Sequence, residues 1–261
     1  MAPVDQSFVR AMHVQTLQRA GIHERIEPGV LFQASTIGAL LDGAYDGDIS
    51  FGELAEHGNL GLGTLNGLDG EMIALGGRFY RADVDGVINE IDPETKTPFA
   101  VVVPFEAADE FDLPSAYSHQ QLLDEIDRRS GPESRAWAFR IDGRFASVKA
   151  RSVPRQQPPY RPLADVIGGQ HVFELDDVEG TMVGFRFPDH SDGIEAPGYH
   201  LHFIDSARTR GGHVLDCRLE RGRVQVDPSS RLRVELPPGV DLAEPHLELP
   251  LGDALRMVEG S

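Results

Sequence analysis

Short apolar runs alternate with polar residues along most of the chain, and glycine, proline or acidic pairs close nearly every run. Alternation of period two with frequent breakers predicts many strands rather than a helical bundle. Glu71–Leu75 and Arg78–Ala82 read as a hairpin turned at Gly76-Gly77. Residues 99–105 form a further apolar strand, and 137–141 pairs with 145–153 about a turn at Asp142-Gly143. More strands are expected at 171–175, 180–187, 223–226 and 232–236. Helical patterns are few. Ser35-Thr36 offers a hydroxyl N-cap to a helix that Gly43 can end, and Ser118 with Gln121 forms a capping box for a helix stopped by Gly131. A short helix follows over 163–167, and residues 1–30 read as an irregular or partly helical arm.

Four prolines between 154 and 162 exclude a regular element and set the expected internal boundary. The expected organisation is an N-terminal β-sheet domain (1–153, with helices near 35–43 and 118–130), a linker (154–163) and a C-terminal β domain (164–261). Helices stand apart from strands instead of alternating with them, so the fold class is α+β: mainly mixed or antiparallel β, in two β-rich domains.

Within that pattern one run carries candidate chemistry. His200 and His202 sit two apart in Gly-Tyr-His-Leu-His-Phe-Ile, so a strand puts both imidazoles on one face and Leu201 and Phe203 on the other. A polar turn near Ala207-Arg208 precedes Gly211-Gly212-His213-Val214-Leu215. Folded as an antiparallel hairpin, this register places His213 opposite His202, with directly opposed Cβ atoms roughly 5 Å apart. Three neutral imidazoles with a fourth position open suit a catalytic zinc ion. The plainer reading is that histidines occupy strands for ordinary packing.

Composition narrows the field. The 261 residues can bury a sizeable core, and 28 glycines and 18 prolines agree with many turns. Forty-two acidic against 24 basic residues give a formal charge of −18, which would repel nucleic acid and anionic membrane surfaces. An anionic small substrate would need local cationic help. Cys217 is the single cysteine, so no intramolecular disulfide forms. By simple alternation it shares the face of His213, as core or beside the site. No window has the length of a membrane helix, and Asp5 and Gln6 stand where a signal peptide would be apolar, so a cytoplasmic protein is the default. Gly61-Leu62-Gly63 is not a dinucleotide-binding loop, because Asn66 stands where the third glycine belongs.

Two polar residues stand out by context. Glu71 opens a strand just after Asp69-Gly70, although an acidic chain exposes most of its glutamates. Arg151 lies on a strand where Ser147, Lys149 and Arg151 alternate with Val148, Ala150 and Ser152, and periodicity alone makes that an ordinary polar face.

The stretches LFQASTIGALLDGAYDG, GLGTLNGLDGEM, VKARSVPRQ, GYHLHFI and RTRGGHVLD, in that order from about Val30 to Asp216, resemble the alpha-acetolactate decarboxylase family. The resemblance implies a homodimer of β-rich chains that turns acetolactate into (R)-acetoin and CO2 through a zinc-stabilised enediolate. It implies His200, His202 and His213 as zinc ligands, Glu71 and Arg151 as catalytic residues, Thr64 beside the substrate, and Glu259 as a second carboxyl brought in from the C-terminal end. Arg151 would then face the substrate carboxylate, and a glutamate would protonate one face of the enediolate. Two rivals stand beside this. A cupin-like metalloenzyme wants a glutamate shortly after the second histidine, where Asp205 is the acid present. A non-catalytic metal-binding β module would leave Glu71 and Arg151 indifferent to substitution.

Overall fold

The computed structural model describes residues 13–18, 29–130, 135–188, 191 and 194–236. Among these, sixteen strands account for just over half of the described residues, with a few short helices between them. The strands are β1 His13–Gln18, β2 Val30–Ala34, β3 Ile49–Ser50, β4 Leu60–Thr64, β5 Glu71–Leu75, β6 Arg78–Ala82, β7 Ile88–Glu90 and β8 Lys96–Thr97. There follow β9 Ala100–Val103, β10 Asp109–Leu113, β11 Tyr117–Ser118, β12 Ala136–Ser152, β13 His171–Phe187, β14 Gly198–Asp205, β15 Gly211–Ser229 and β16 Arg231–Leu236.

One sheet has the order β1-β16-β2-β9-β4-β5-β6-β7, parallel where β16 meets β1 and β2 and antiparallel elsewhere. The second runs β10-β15-β12-β13-β14, all antiparallel, and β14 also pairs with β15, so four strands close on themselves like a small barrel. Its interior is filled by Phe139, Phe145, Met182, Phe203 and Leu219. Phe145 and Phe203 meet edge-on at 5.4 Å, and each such fully buried side chain contributes on the order of 2–3 kcal/mol. A second core, with Leu62, Ile73 and Val101 from the first sheet and Val183, Phe185 and Ile204 from the second, glues the sheets together. The far face of the first sheet packs Phe32, Met72, Ala74 and Val102 under helix Phe51–Ala55.

The expected mainly β architecture and the hairpin at Gly76-Gly77 stand, and both helix starts are capped as anticipated. The Thr36 hydroxyl accepts from Ala39 N–H ahead of helix Ile37–Leu41. Ser118 and Gln121 satisfy each other's backbone N–H at the head of helix His119–Ser130.

The structure differs in four places. Asp142-Gly143 is no turn: β12 runs straight through it, with Gly143 paired to Gly180 on one side and Gly222 on the other. Glycine is needed there because a Cβ on Gly143 would lie 2.7 Å from the Arg221 carbonyl oxygen and 2.8 Å from a Leu219 methyl. The strands expected at 171–175 and 180–187 are likewise one, β13, and 223–226 belongs to β15. Within residues 1–30, His13–Gln18 is a strand because β16 offers it a parallel partner 218 positions on from His13, at Arg231. Finally, the ladder of β12 on β15 shifts between Lys149 and Ala150, leaving Leu215 as an extra residue. That bulge flips the alternation, so Cys217 sits in the barrel core opposite Val148, on the other face from His213. Burial pushes its thiol up to about 12, with Asp216 adding to the rise.

The proline-rich stretch links β12 to β13, two strands paired within the second sheet. The chain passes from one sheet to the other between β9 and β10, and β16 then returns to the first.

Candidate active site

Side-chain alternation decides which residues enter the space between the sheets. On β5, Met72 and Ala74 face the outer helix while Ile73 and Leu75 face the second sheet, so Glu71 faces that sheet too. On β4, Leu60 and Leu62 point the same way and Thr64 continues the row, directly opposite Glu71. On β12, Val148 and Ala150 fill the barrel and Arg151 turns outward; on β14, Leu201 and Phe203 fill it while His200 and His202 turn outward with Ile204. Thr64, Glu71, Arg151 and the three histidines therefore line one cavity between the sheets, and each is at least nine-tenths buried.

The hairpin forms in the expected register, with His202 opposite His213 and His213 beside Arg151 on β12. One ligand-capable atom from each of the three imidazoles lies within 4.8 Å of the others. His200 and His202 approach Nε2 to Nε2 at 3.2 Å. Two nitrogens held about 2.05 Å from a common tetrahedral centre would be roughly 3.3 Å apart, so the donor set fits a zinc ion. His202 Nδ1 lies 2.8 Å from the Met72 carbonyl oxygen. A carbonyl only accepts, so Nδ1 carries the proton and the Nε2 lone pair faces the cluster. This partner is main chain, which no side-chain pattern could have disclosed.

Burial lowers the pKa of His200 to about 3, with the Arg151 charge adding to the fall. Burial also holds His202 well below the usual histidine range, helped by His200 and Arg151 and opposed by the Met72 carbonyl. Neutral imidazoles are what a metal requires. One consequence is measurable. Below the ordinary histidine pKa of about 6.5 the unfolded chain takes up protons that the native metal-free protein does not, so metal-free stability should fall as pH drops from about 6.5. The slope per buried histidine is at most about 1.4 kcal/mol per pH unit. Unfolding midpoints in chelator should fall more steeply with acid for the wild type than for His202→Gln; parallel curves would refute the assignment.

Glu71 is delivered by a tightly built turn. Gly67, Leu68 and Gly70 all have left-handed backbones (φ 72°, 54° and 92°), and a Cβ on Gly70 would meet the Ala82 carbonyl oxygen at 2.3 Å. The Asn66 amide clasps Gly47, accepting its N–H and donating to its C=O, both at 2.9 Å. Arg81 ties down Asp69 at 2.7 Å, and the Thr64 hydroxyl donates to the Gly70 carbonyl at 2.8 Å. Glu71 Oε1 then accepts from Arg151 Nη1 at 3.3 Å, and its Oε2 lies 3.6 Å from His202 Nε2. A carboxyl group, three imidazoles able to hold a metal ion and a cation thus meet in one buried space.

Much of the remaining cavity lining is apolar, and no local sequence pattern marks it. Ile37 and Leu40 come from the first helix, Leu68 from the Glu71 turn, Phe99 from the approach to β9, and Leu163 and Ile167 from the short helical segment after the prolines. Nothing in an isolated leucine marks it as a wall residue; only the meeting of these segments does. Glu259 lies outside the described residues. No helix among them is long and apolar enough to cross a membrane.

Similarity to known proteins identifies the family of the chain. Residues 31–248 match the family described as Alpha-acetolactate decarboxylase. The alpha-acetolactate decarboxylase of Methylococcus capsulatus is 43% identical over 236 residues, 90% of each chain. That of Methanosarcina mazei is 45% identical over 88% of this chain and 80% of its own. The crystal structure of the Bacillus subtilis strain 168 enzyme superposes with a TM-score of 0.85 at 36% identity, covering 89% of this chain and all of the other. With relatives this similar over nearly their whole length, the chain belongs to the alpha-acetolactate decarboxylase family of carboxy-lyases.

Proposed function

We propose that this protein converts 2-acetolactate (2-hydroxy-2-methyl-3-oxobutanoate) to (R)-acetoin and CO2, with Zn2+ held by His200, His202 and His213. The observation that supports it best is the convergence of that triad with Glu71 and Arg151 in one cavity whose remaining lining is largely apolar. Loss of CO2 from a 2-hydroxy-3-keto acid sends the bond's electron pair into the neighbouring ketone, giving an enediolate. Held by His200, His202 and His213, a zinc ion would supply Lewis-acid stabilisation of that charge. The chain's own residues do the rest. Arg151 receives the substrate carboxylate, the local positive charge that a chain of net charge −18 otherwise lacks. Thr64, whose hydroxyl hydrogen is committed to Gly70, can only accept, and presents its oxygen lone pairs to a substrate hydroxyl. The apolar wall takes the methyl groups and excludes water, which strengthens each charge interaction inside. Glu71 and Glu259 are the carboxyls assigned to proton delivery, and delivery from one side of a fixed enediolate gives a single enantiomer. The protein acts as a cytoplasmic homodimer in acetoin and butanediol formation.

The test is one assay of purified protein with racemic acetolactate, following acetoin and CO2 before and after chelation and zinc restoration. Acetoin formation should vanish with the metal and return with zinc. No acetoin from folded, zinc-loaded protein would defeat the proposal and favour a cupin-like enzyme acting on another small oxygenated acid.

A further inference from the structure

Asp205 was the acid that a cupin-like site would have wanted as a ligand. Alternation along β14 points it away from the imidazoles, yet it is almost fully buried. Its carboxylate is spent on the turn that follows. Oδ1 accepts from the Thr209 and Arg210 N–H groups at 2.6 and 3.0 Å, and Oδ2 accepts from the Thr209 hydroxyl at 2.6 Å. Its backbone N–H donates to the Arg210 carbonyl at 2.9 Å, and its carbonyl accepts from Arg208 N–H at 3.0 Å. Arg208 sits in the left-handed region, φ 57°, a conformation costing a non-glycine residue on the order of 1 kcal/mol or more unless its surroundings impose it.

The ladder between the two strands that this turn joins is short, although residues 86–88 also brace the turn, Ile88 N–H donating to the Thr209 carbonyl at 3.0 Å and Gly211 N–H to the Gly86 carbonyl at 2.9 Å. β14 meets β15 at His202–His213, Phe203–Gly212 and Ile204–Gly211, and two of the three partners on β15 are glycines with no side chain to interlock. Beyond the hairpin, β14 is held by β13 and β15 by β12, but the β12 ladder is broken by the Leu215 bulge two residues past His213. A slip of one residue would turn His213 to the barrel interior, and a slip of two would carry it roughly 6–7 Å along the strand. Zinc–ligand distances in well-formed sites stay within about 0.2 Å of their standard values.

We propose that Asp205 is the positioning residue of the histidine hairpin: its carboxylate locks the turn and so holds His213 opposite His202. The inference rests on the zinc reading above, and the experiment separates the two. Zinc dissociation constants would be measured by chelator competition, and the visible spectrum of the Co2+-substituted protein recorded, for wild type, Asp205→Ala, Asp205→Asn and Thr209→Val. Far-UV circular dichroism would accompany each. Asp205→Ala should bind zinc about 10- to 100-fold more weakly, the range for losing a group that orients ligands, with an altered Co2+ spectrum. Asp205→Asn keeps an oxygen for both N–H groups and should bind zinc more nearly as wild type does. Thr209→Val removes one of the three bonds and should fall between them, which keeps the test decisive if Asp205→Ala fails to fold. Wild type that binds neither metal would sink the zinc reading. Wild-type zinc affinity and Co2+ spectrum in Asp205→Ala, or in Thr209→Val where the alanine variant does not fold, would overturn the positioning role, whatever happens to thermal stability.

Discussion

Replacing His202 with alanine should weaken zinc binding by about two orders of magnitude or more and abolish acetoin formation at ordinary metal concentrations. The free energy of binding zinc at closed protein sites is roughly 10–16 kcal/mol over four ligands, so one ligand is worth on the order of 3 kcal/mol, about 100-fold in affinity. His202 is the member of the triad with most to lose. It is fully buried, its Nδ1 is committed to the Met72 carbonyl, and it stands opposite His213 and 3.2 Å from His200. Alanine also leaves a cavity and an unsatisfied carbonyl on β5, so lower thermal stability should accompany the loss of metal. Bound zinc would be measured by chelator competition, with circular dichroism to show that the β fold persists. Retention of full zinc by a folded His202→Ala protein would refute the hairpin as the metal site.

Glu71→Gln should lower kcat by about 10²- to 10⁴-fold, the usual worth of a positioned acid or base, while zinc affinity changes little. The substitution keeps size and leaves an oxygen for Arg151, which now approaches Glu71 at 3.3 Å. What it removes is the ability to carry and release a proton. Paired measurements of kcat and bound zinc separate three outcomes. Low kcat with full zinc supports proton delivery. Unchanged kcat assigns the proton to another group, with Glu259 next in line. Loss of zinc would make Glu71 a ligand, a role its 3.6 Å separation from His202 Nε2 makes worth testing.

What could be read from the sequence was local. The alternation of His200, Leu201, His202 and Phe203, a polar turn and a resumed strand are enough to specify a hairpin and its facing histidines. The hydroxyls of Thr36 and Ser118 likewise mark helix starts, because an N-cap bond spans only three residues. Where reading stopped, distant partners decided. Gly143 looks like a turn until Gly180 and Gly222 flank it and Leu219 fills the space its side chain would take. Arg151 looks like one more polar strand residue until Glu71, 80 positions earlier, arrives from the other sheet. Cys217 changes face because of one extra residue, and whether a ladder bulges depends on both strands. The three histidines sit in one hairpin, whereas the acid, the cation and the apolar lining depend on two sheets meeting.

The place of β16 has a consequence for the order in which the molecule can be made. It lies between β1 and β2, pairing Leu232 with Val14 on one side and Leu31 on the other. A growing polypeptide emerges N-terminal end first, so β2 must wait, its apolar edge unpaired, until residue 236 has left the ribosome. Every strand of the histidine barrel is by then available. Synthesis therefore favours assembling the histidine-bearing sheet first and closing the sheet that carries Glu71 last, and the unpaired edge of β2 exposes a nascent chain to pairing with the wrong neighbour.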